Sequence, residues 1–337
     1  MMMNAFGKNR TQRKLSVLVG VDFAATATKV VQLKQLKGEL TLTGIDMLPA
    51  VDFNTTASRM ELPRNLSSYY GCLAYSGAES VVRMVHTPLP AGEETVPESE
   101  LRKLLNVTDD FRVSAQLIKR GKGRQDSSLL AAAIPQDDVR YLLNLFPAGP
   151  PAPASLEVAG LAFVSAFLNA RGAECANDAV CLIDAGESVS HYVFMNKGAV
   201  VLVGKMDFGV RALRSKLATD LGVDDELAAS ILDDRSINIS TSLANVMAPI
   251  IKQLSISKDF IERHQGCRVS RVYVSGGMSL LPSWSDELMN MIHTEVESWS
   301  PLENIAIAPE ILSPELKQQA TRFAAAIGAA IGGFQES

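Results

Sequence analysis

Hydrophobic residues near the start of the chain fall into short runs separated by polar turns. Ser16-Val-Leu-Val-Gly-Val-Asp22 is an apolar run that ends in aspartate. A loop of small residues, Phe23-Ala-Ala-Thr-Ala-Thr28, leads to Lys29-Val-Val-Gln-Leu-Lys34, and Lys37-Gly38-Glu39 turns into Leu40-Thr-Leu-Thr-Gly-Ile45. The same order returns later. Val180-Cys-Leu-Ile-Asp184 is followed by Ala185-Gly-Glu-Ser-Val-Ser190, by His191-Tyr-Val-Phe-Met195, by a turn at Asn196-Lys197-Gly198, and by Ala199-Val-Val-Leu-Val203. Short apolar runs bounded by turn residues predict strands. The pattern predicts a duplicated three-stranded meander whose first strand ends in an acidic, small-residue tip. Such a tip offers backbone N–H and hydroxyl donors to a phosphate, and a carboxylate to a metal ion.

Between the repeats the period changes. The polar stretch Asp52 to Ser68 predicts a loop or short helix, and Ala78 to Val85 alternates like a strand stopped by Thr87-Pro88-Leu-Pro90. Helical spacing over Glu98–Leu105, a strand over 111–118, a turn at Gly121-Lys-Gly123, a strand over 127–134 and a helix over 136–145 predict a compact inserted α+β subdomain. Pro147 to Pro153 ends it with stiff chain, and Leu156 to Leu168 reads as an apolar helix. Past the second repeat, Val210, Leu213, Leu217 and Leu221 share one helical face, as do Leu243, Val246, Ile250, Leu254 and Ile261, with Pro249 marking a start or kink. The strand Arg271–Ser275 runs into Gly276-Gly277, and helices are expected to finish the chain.

Composition narrows the class. Of 337 residues, 47% are hydrophobic and 20% charged, the balance of a globular protein long enough for two lobes. A net charge of −5 argues against a nucleic-acid partner. Cys72, Cys175, Cys181 and Cys267 have no paired spacing, which points to reduced thiols in a cytosolic protein and away from disulfides or zinc. His86, His191, His264 and His293 lack ligand spacing and read as structural. The apolar segment Phe323–Phe334 is too short to span a bilayer. Residues 1–14 carry Lys8, Arg10, Arg13 and Lys14 without the apolar core of a secretory signal. They read as a flexible basic tail, or as a weak attraction to an anionic membrane surface.

Val272-Tyr-Val-Ser-Gly-Gly-Met-Ser-Leu-Leu-Pro282 is a strand, a glycine pair and a helix start, in which Gly276 and Gly277 leave room for a base or sugar and Ser279 caps the helix. Taken in chain order, the two acidic hairpins, the insertion, the connecting helix and this glycine pair resemble the actin-like nucleotide-binding fold, a two-lobed α/β architecture with a duplicated ribonuclease H-like core and a small inserted subdomain. Within it the chain most resembles the PilM family of type IV pilus assembly proteins, over about Phe6 to Phe334, with FtsA and GspL as relatives. Asp22-Phe-Ala-Ala-Thr-Ala-Thr-Lys29 resembles that family's first phosphate loop. Leu156-Glu157 with Leu161-Ala162 is similar to its connecting helix, Asp184-Ala-Gly186 to its second phosphate loop, Asp207-Phe-Gly209 to its next helix start, and Ser275-Gly-Gly277 to its adenosine loop.

The resemblance implies lobes at 15–87 with 151–179, the insertion at 88–150, a second lobe at 180–319 and a final helix at 320–337. It implies ATP and Mg as cofactors, held by Asp22, Thr26, Thr28, Lys29, Glu157, Asp184, Gly186, Ser188, Gly209, Gly276, Gly277 and Ser279, with Asp22 and Asp184 toward the metal. For some of these there is a plainer role: Asp22 and Asp184 as loop caps, Lys29 as a solvated strand residue, Glu157 as a helix-start carboxylate. It further implies a cytoplasmic scaffold, peripheral to the inner membrane, that holds the N-terminal tail of a bitopic PilN-like partner beside the insertion. Other pilus components and self-association are further implied contacts.

The chain departs from the family pattern at the first loop. Ala24 stands where the family has glycine, and Ala25 and Ala27 where it has serines. Downstream, Ala228-Ala-Ser-Ile-Leu232 lacks the family's glutamate and lysine, and Ser283 replaces a third glycine. These losses predict a weakened or vestigial nucleotide site and slow turnover or none. The alternatives are a working ATPase or kinase of the same fold, and an FtsA-like filament former.

Overall fold

Six stretches of strand-forming sequence, three in each repeat, with a Lys-Gly turn in two of the connections set the framework. The computed structural model describes residues 3–4, 15–56, 58–122, 125–147, 150–234 and 238–335. Except for Met3–Asn4, the basic tail lies outside them, as does Gly123 of the predicted turn. The strands and helices come in the order β1 (Met3–Asn4), β2 (Val17–Phe23), β3 (Ala27–Leu36), β4 (Glu39–Pro49), β5 (Tyr70–Tyr75), β6 (Val81–Thr87), α1 (Glu98–Leu105), β7 (Phe111–Lys119), β8 (Ser127–Pro135) and α2 (Gln136–Asn144). Then follow β9 (Ala152–Val158), α3 (Ala159–Arg171), β10 (Ala179–Ala185), β11 (Ser190–Asn196), β12 (Ala199–Met206), α4 (Val210–Leu221), α5 (Asp225–Asp234) and α6 (Ser240–Gln265). The remainder is β13 (Val269–Ser275), α7 (Pro282–Ile292), β14 (Glu295–Ser298), β15 (Ala306–Ile307), α8 (Pro314–Gln319) and α9 (Ala324–Gln335).

The chain divides into two units, Met1–Gly172 with Pro301–Ser337, and Ala173–Ser300. In the first, the sheet order is β1-β9-β5-β2-β3-β4-β15, with β2, β3 and β4 antiparallel and β5 and β9 added in parallel beside β2. In the second it is β12-β11-β10-β13-β14, again an antiparallel meander with two parallel strands beside its first member. The core five-strand order is therefore the same twice. Even the turns agree: Lys37-Gly38 and Lys197-Gly198 both have positive φ at both positions, the requirement of a type I′ hairpin turn.

Each unit covers its sheet with apolar helix. Helix α9 is buried from Ala324 through Phe334 and packs on α3 and β2, its small side chains allowing close approach. In the second unit Leu213, Leu217, Leu243, Met247, Leu254 and Ile261 are buried, and Phe208 stacks on Trp284 at 5.3 Å between centroids. Pro249 sits inside α6, on its exposed side, instead of at a helix start.

Five elements differ from the sequence reading. Leu156 to Val158 close strand β9, and the helix begins only at Ala159; a fully buried strand and a buried helix look alike as apolar runs. Strand β5 was not anticipated, yet it lies inside the sheet between β9 and β2, a short apolar run lost in a serine- and tyrosine-rich neighbourhood. Strand β6 pairs with β8, so it belongs to the insertion's sheet, β6-β8-β7. Finally, β14 and β15 interrupt the expected run of closing helices. The inserted helix–strand–strand–helix itself follows the reading within a residue or two, with Leu101, Leu105, Val113 and Leu129 in its core.

Candidate functional site

In the first unit the candidate residues gather at the carboxyl ends of the parallel strands. Asp22 ends β2, Ala74 lies beside it on β5, and Glu157 lies beside Ala74 on β9. Asp22 and Glu157 are thus in one row two strands apart, about 10 Å, and both are buried. Glu157 is accordingly a strand-end carboxylate, not a helix-start one. The Lys29 ammonium donates to Asp22 Oδ2 at 2.9 Å, and the Ser76 hydroxyl donates to Oδ1 at 2.9 Å. Only 15% of the Lys29 side chain and 3% of that of Asp22 is exposed, so this is a partly buried ion pair with little competing water. Lys29 is therefore paired across the hairpin rather than solvated.

The loop above them spends its donors internally. The Ala24 N–H donates to Ala27 O at 3.3 Å, and the Thr28 hydroxyl donates to Pro49 O at 3.0 Å. Thr28 is fully buried, and its proton is committed to a carbonyl, which leaves Thr26 as the exposed hydroxyl of the loop. Ser76 is the residue the sequence reading missed. Its signal was present in Ser76-Gly77, a turn pair closing the apolar run of β5.

The next residue back couples this end of the sheet to the insertion. The Tyr75 hydroxyl donates to Asp138 on α2, and Phe53 packs against both Tyr75 and Tyr141 at 5.8 and 5.0 Å between ring centroids. Burial, aided by the carboxylate of Asp138, pushes the Tyr75 phenol well above its usual range.

In the second unit three glycine motifs far apart in sequence are brought together. Asp184 ends β10, facing Ser275 on β13 and His191 on β11, with Gly186 just beyond it. Gly186 O accepts from the Val210 N–H at 3.1 Å and Glu187 O from the Arg211 N–H at 2.9 Å, so the loop is tied to the first turn of α4. At Gly209, a Cβ would stand 2.5 Å from the Glu187 carbonyl carbon, which only glycine avoids. Gly276 has φ +85°, and a Cβ there would stand 2.7 Å from the carbonyl carbon of Ala185. A side chain is excluded on both counts. Gly277 is different: a Cβ would meet only the Val210 methyl at 3.7 Å, leaving that position open.

Electrostatics reinforce this packing. Arg214 on α4 bridges Asp225 at 2.8 Å and Glu187 at 3.3 Å, and the hydrogen bond to Asp225, chiefly, holds its guanidinium more firmly protonated than usual. The Ser188 hydroxyl is buried and has no hydrogen-bond partner among the described residues. Ser279 does not cap α7: its hydroxyl donates back to Gly276 O at 2.6 Å from a 3-10 turn, and α7 begins later, at Pro282. Behind the glycine loop, burial raises the Tyr273 phenol to about 12, with Cys175 and Arg271 as hydroxyl neighbours at 3.5 and 3.3 Å.

As hosts for a nucleotide the two units fit unequally. The second supplies an uncommitted hydroxyl at Ser188 and an open backbone at Gly277. The first has bound its own carboxylate, its lysine and one of its hydroxyls to itself. Among the described residues no group of three or more His, Cys, Asp or Glu side chains is arranged to hold a metal ion, and no helix is long and apolar enough to cross a membrane.

Comparison with known proteins agrees with this geometry. The chain superposes on the structure of a PilM–PilN type IV pilus biogenesis complex with a TM-score of 0.77 at 17% identity, covering 96% of this chain and 99% of that one. Looser likenesses are ethanolamine utilization protein EutJ from Carboxydothermus hydrogenoformans (TM-score 0.49, 16% identity, 95% and 91% covered) and the archaeal actin homolog Ta0583 (0.47, 15%, 95% and 100%). No curated protein matches the chain in sequence. The family model described as type IV pilus assembly protein PilM matches residues 106–334. With the duplicated sheet of the actin-like fold, this makes the chain a member of the PilM family of type IV pilus assembly proteins.

Proposed function

We propose that this protein is a scaffold of the inner-membrane assembly complex of a type IV pilus, which captures the N-terminal tail of a PilN-like membrane partner and whose nucleotide site is weakened. The observation that carries the second half is the closed first loop: Asp22 is held by Lys29 and Ser76, and the loop has Ala24, Ala25 and Ala27 where the family supplies glycine and serines. A phosphate arriving there has to displace an existing ion pair, and it meets two fewer hydroxyls, each worth about 1 kcal/mol net. Support for the first half comes from family membership and from the relative solved in complex with PilN.

In this reading the partner segment is an extended peptide lying beside the inserted subdomain, held by strand addition or apolar pockets. The protein works at the cytoplasmic face of the membrane and is attached there through its partner. Taken within each unit separately, the candidate contacts for ATP and Mg are Asp22, Thr26, Lys29 and Glu157 in the first, and Asp184, Gly186, Ser188, Gly209, Gly276 and Gly277 in the second. Those second-unit positions also favour a second reading, a slow ATPase that switches conformation.

Calorimetry of the full chain with Mg-ATP, and separately with a PilN-type N-terminal peptide, tests both. Peptide binding without nucleotide binding is the expected result. Nucleotide binding without peptide binding overturns the scaffold, and ATP hydrolysis abolished by Asp184→Ala installs the second reading.

A further inference from the structure

On the face of the first unit's sheet opposite to α9, a groove of about 1300 Å³ runs between the 64–70 segment and residues 308–311. Its floor is the start of β2 and the middle of β3 and β4, where the Gln32 amide donates to Ser67 O at 2.6 Å and accepts from the Thr43 hydroxyl at 2.6 Å. No residue of β6 through α2 lines it, and Pro150, on the way back to β9, lies at its edge.

Two independent features mark it as a contact surface. The first is charge. Lys34 and Arg64 line the groove from two sides, and neither makes an ion pair among the described residues, although Glu310 also lines it. With two cations against one acid, the groove carries a local positive excess in a chain of net charge −5. The second is exposed apolar surface. Tyr69, a lining residue, is 79% exposed; Leu36, two residues beyond Lys34 on β3, is 74% exposed; and Leu312, next to the lining residue Ile311, is 51% exposed. Exposed large apolar side chains at a groove mark interaction sites, and Tyr69 is one that lines this groove.

We propose that this groove is a docking site for an acidic segment of a partner protein, one bearing an aromatic or aliphatic anchor that packs against Tyr69 and Ile311 while its carboxylates meet Lys34 and Arg64. The dimensions favour a peptide: small-ligand pockets are about 300–1,000 Å³ and largely enclosed, and this groove is larger and open. Charge disfavours the chain's own tail, because Lys8, Arg10, Arg13 and Lys14 share the sign of Lys34 and Arg64. The proposal does not rest on the scaffold reading.

Fluorescence anisotropy of the full chain with three short synthetic peptides of one length tests it. One is rich in Asp and Glu with Leu and Phe anchors, the second has every acid replaced by its amide, and the third keeps the acids but has Gly for the anchors. The first is expected to bind at least about tenfold tighter than either control, and to weaken as salt rises. Lys34→Glu with Arg64→Glu, and separately Tyr69→Ala, are each expected to reduce that binding about tenfold or more. These side chains are exposed, so thermal unfolding and binding of a PilN-type peptide should stay as in the parent. Equal or absent binding of the three peptides overturns the proposal, as does binding indifferent to the substitutions. Displacement of the probe by inorganic phosphate at similar concentration makes it a small-anion site, and a dimer lost on Tyr69→Ala assigns it to a second copy; either overturns it.

Discussion

The two acidic tips share a strand order, a turn type and a position at the end of a central strand, yet they are stabilised by opposite means. In the first, side chains close the loop: Lys29 and Ser76 hold Asp22, and Thr28 holds Pro49. In the second, backbone does most of the holding, with Gly186, Gly209 and Gly276 letting three segments touch through their carbonyls and N–H groups, and Arg214 adds a bridge to Glu187. A loop fixed by side chains has used the groups a ligand would need. One fixed by backbone still has side chains, such as Ser188, to offer. Duplication of a sheet therefore does not carry duplication of its chemistry.

The sharpest test of that contrast is a methyl group. Gly276→Ala has to relieve both a left-handed φ and a backbone overlap, and is expected to destabilise the second unit by about 3–4 kcal/mol in urea unfolding. Gly38→Ala, at φ +91° with nothing within 4 Å, should cost only about 1–2 kcal/mol. Equal losses would mean that backbone packing is not what distinguishes the second tip.

Next in size is Asp22→Ala, which strands the Lys29 ammonium in a mostly buried place. A loss of about 2–3 kcal/mol is expected, since orphaned partners of buried pairs cost more than the pair itself contributes. Ser188→Ala in the second tip, at a hydroxyl with no partner among the described residues, should cost less. If denaturation midpoints show the reverse order, the first tip is not the one held by side chains.

Restoring the family's loop with Ala24→Gly and Ala25→Ser should sharpen the comparison from the functional side. One recovered hydroxyl is worth about 1 kcal/mol, so Mg-ATP affinity measured by calorimetry should rise about fivefold. No change would indicate that the Asp22–Lys29 closure, and not the missing donor, limits the site.

The smallest effect concerns the tyrosines on the equivalent strands β5 and β13. Tyr75 and Tyr273 both hold their protons more tightly than the ordinary phenol at 10.0, Tyr273 up to about 12. A raised folded-state value stabilises the fold fully below the unfolded value, and that contribution fades as pH rises. For Tyr273 the loss runs between pH 10 and about 12. Phenolate absorbance should accordingly show two of the six tyrosines titrating late, and Tyr273→Phe should flatten the alkaline fall in stability.

Much of this was legible in the chain. Asp22 and Asp184 were placed at equivalent strand ends by apolar runs and turn residues alone, because hairpins are local and their signals lie within a few residues. Strands β5, β9 and β14 were not, since their partners come from distant chain and a short buried strand has no periodicity of its own. The candidate site suffered in the same way. That Lys29 would face Asp22 follows from hairpin register, but Ser76 reaches Asp22 only through the parallel pairing of β5, 54 residues away. The convergence of Gly276 on Ala185 is likewise invisible until β13 is laid beside β10.

The split of the first unit between 1–172 and 301–337 has a consequence for the newborn chain. On the ribosome, residues 173–300 emerge as one uninterrupted stretch and can close their core as soon as they are out, as contiguous domains generally do. The unit that begins first must wait, its sheet uncovered where α9 belongs, until the segment 324–335 has been synthesised. Maturation thus runs against the order of translation, and for that interval the exposed face over β2 is what a chaperone would meet.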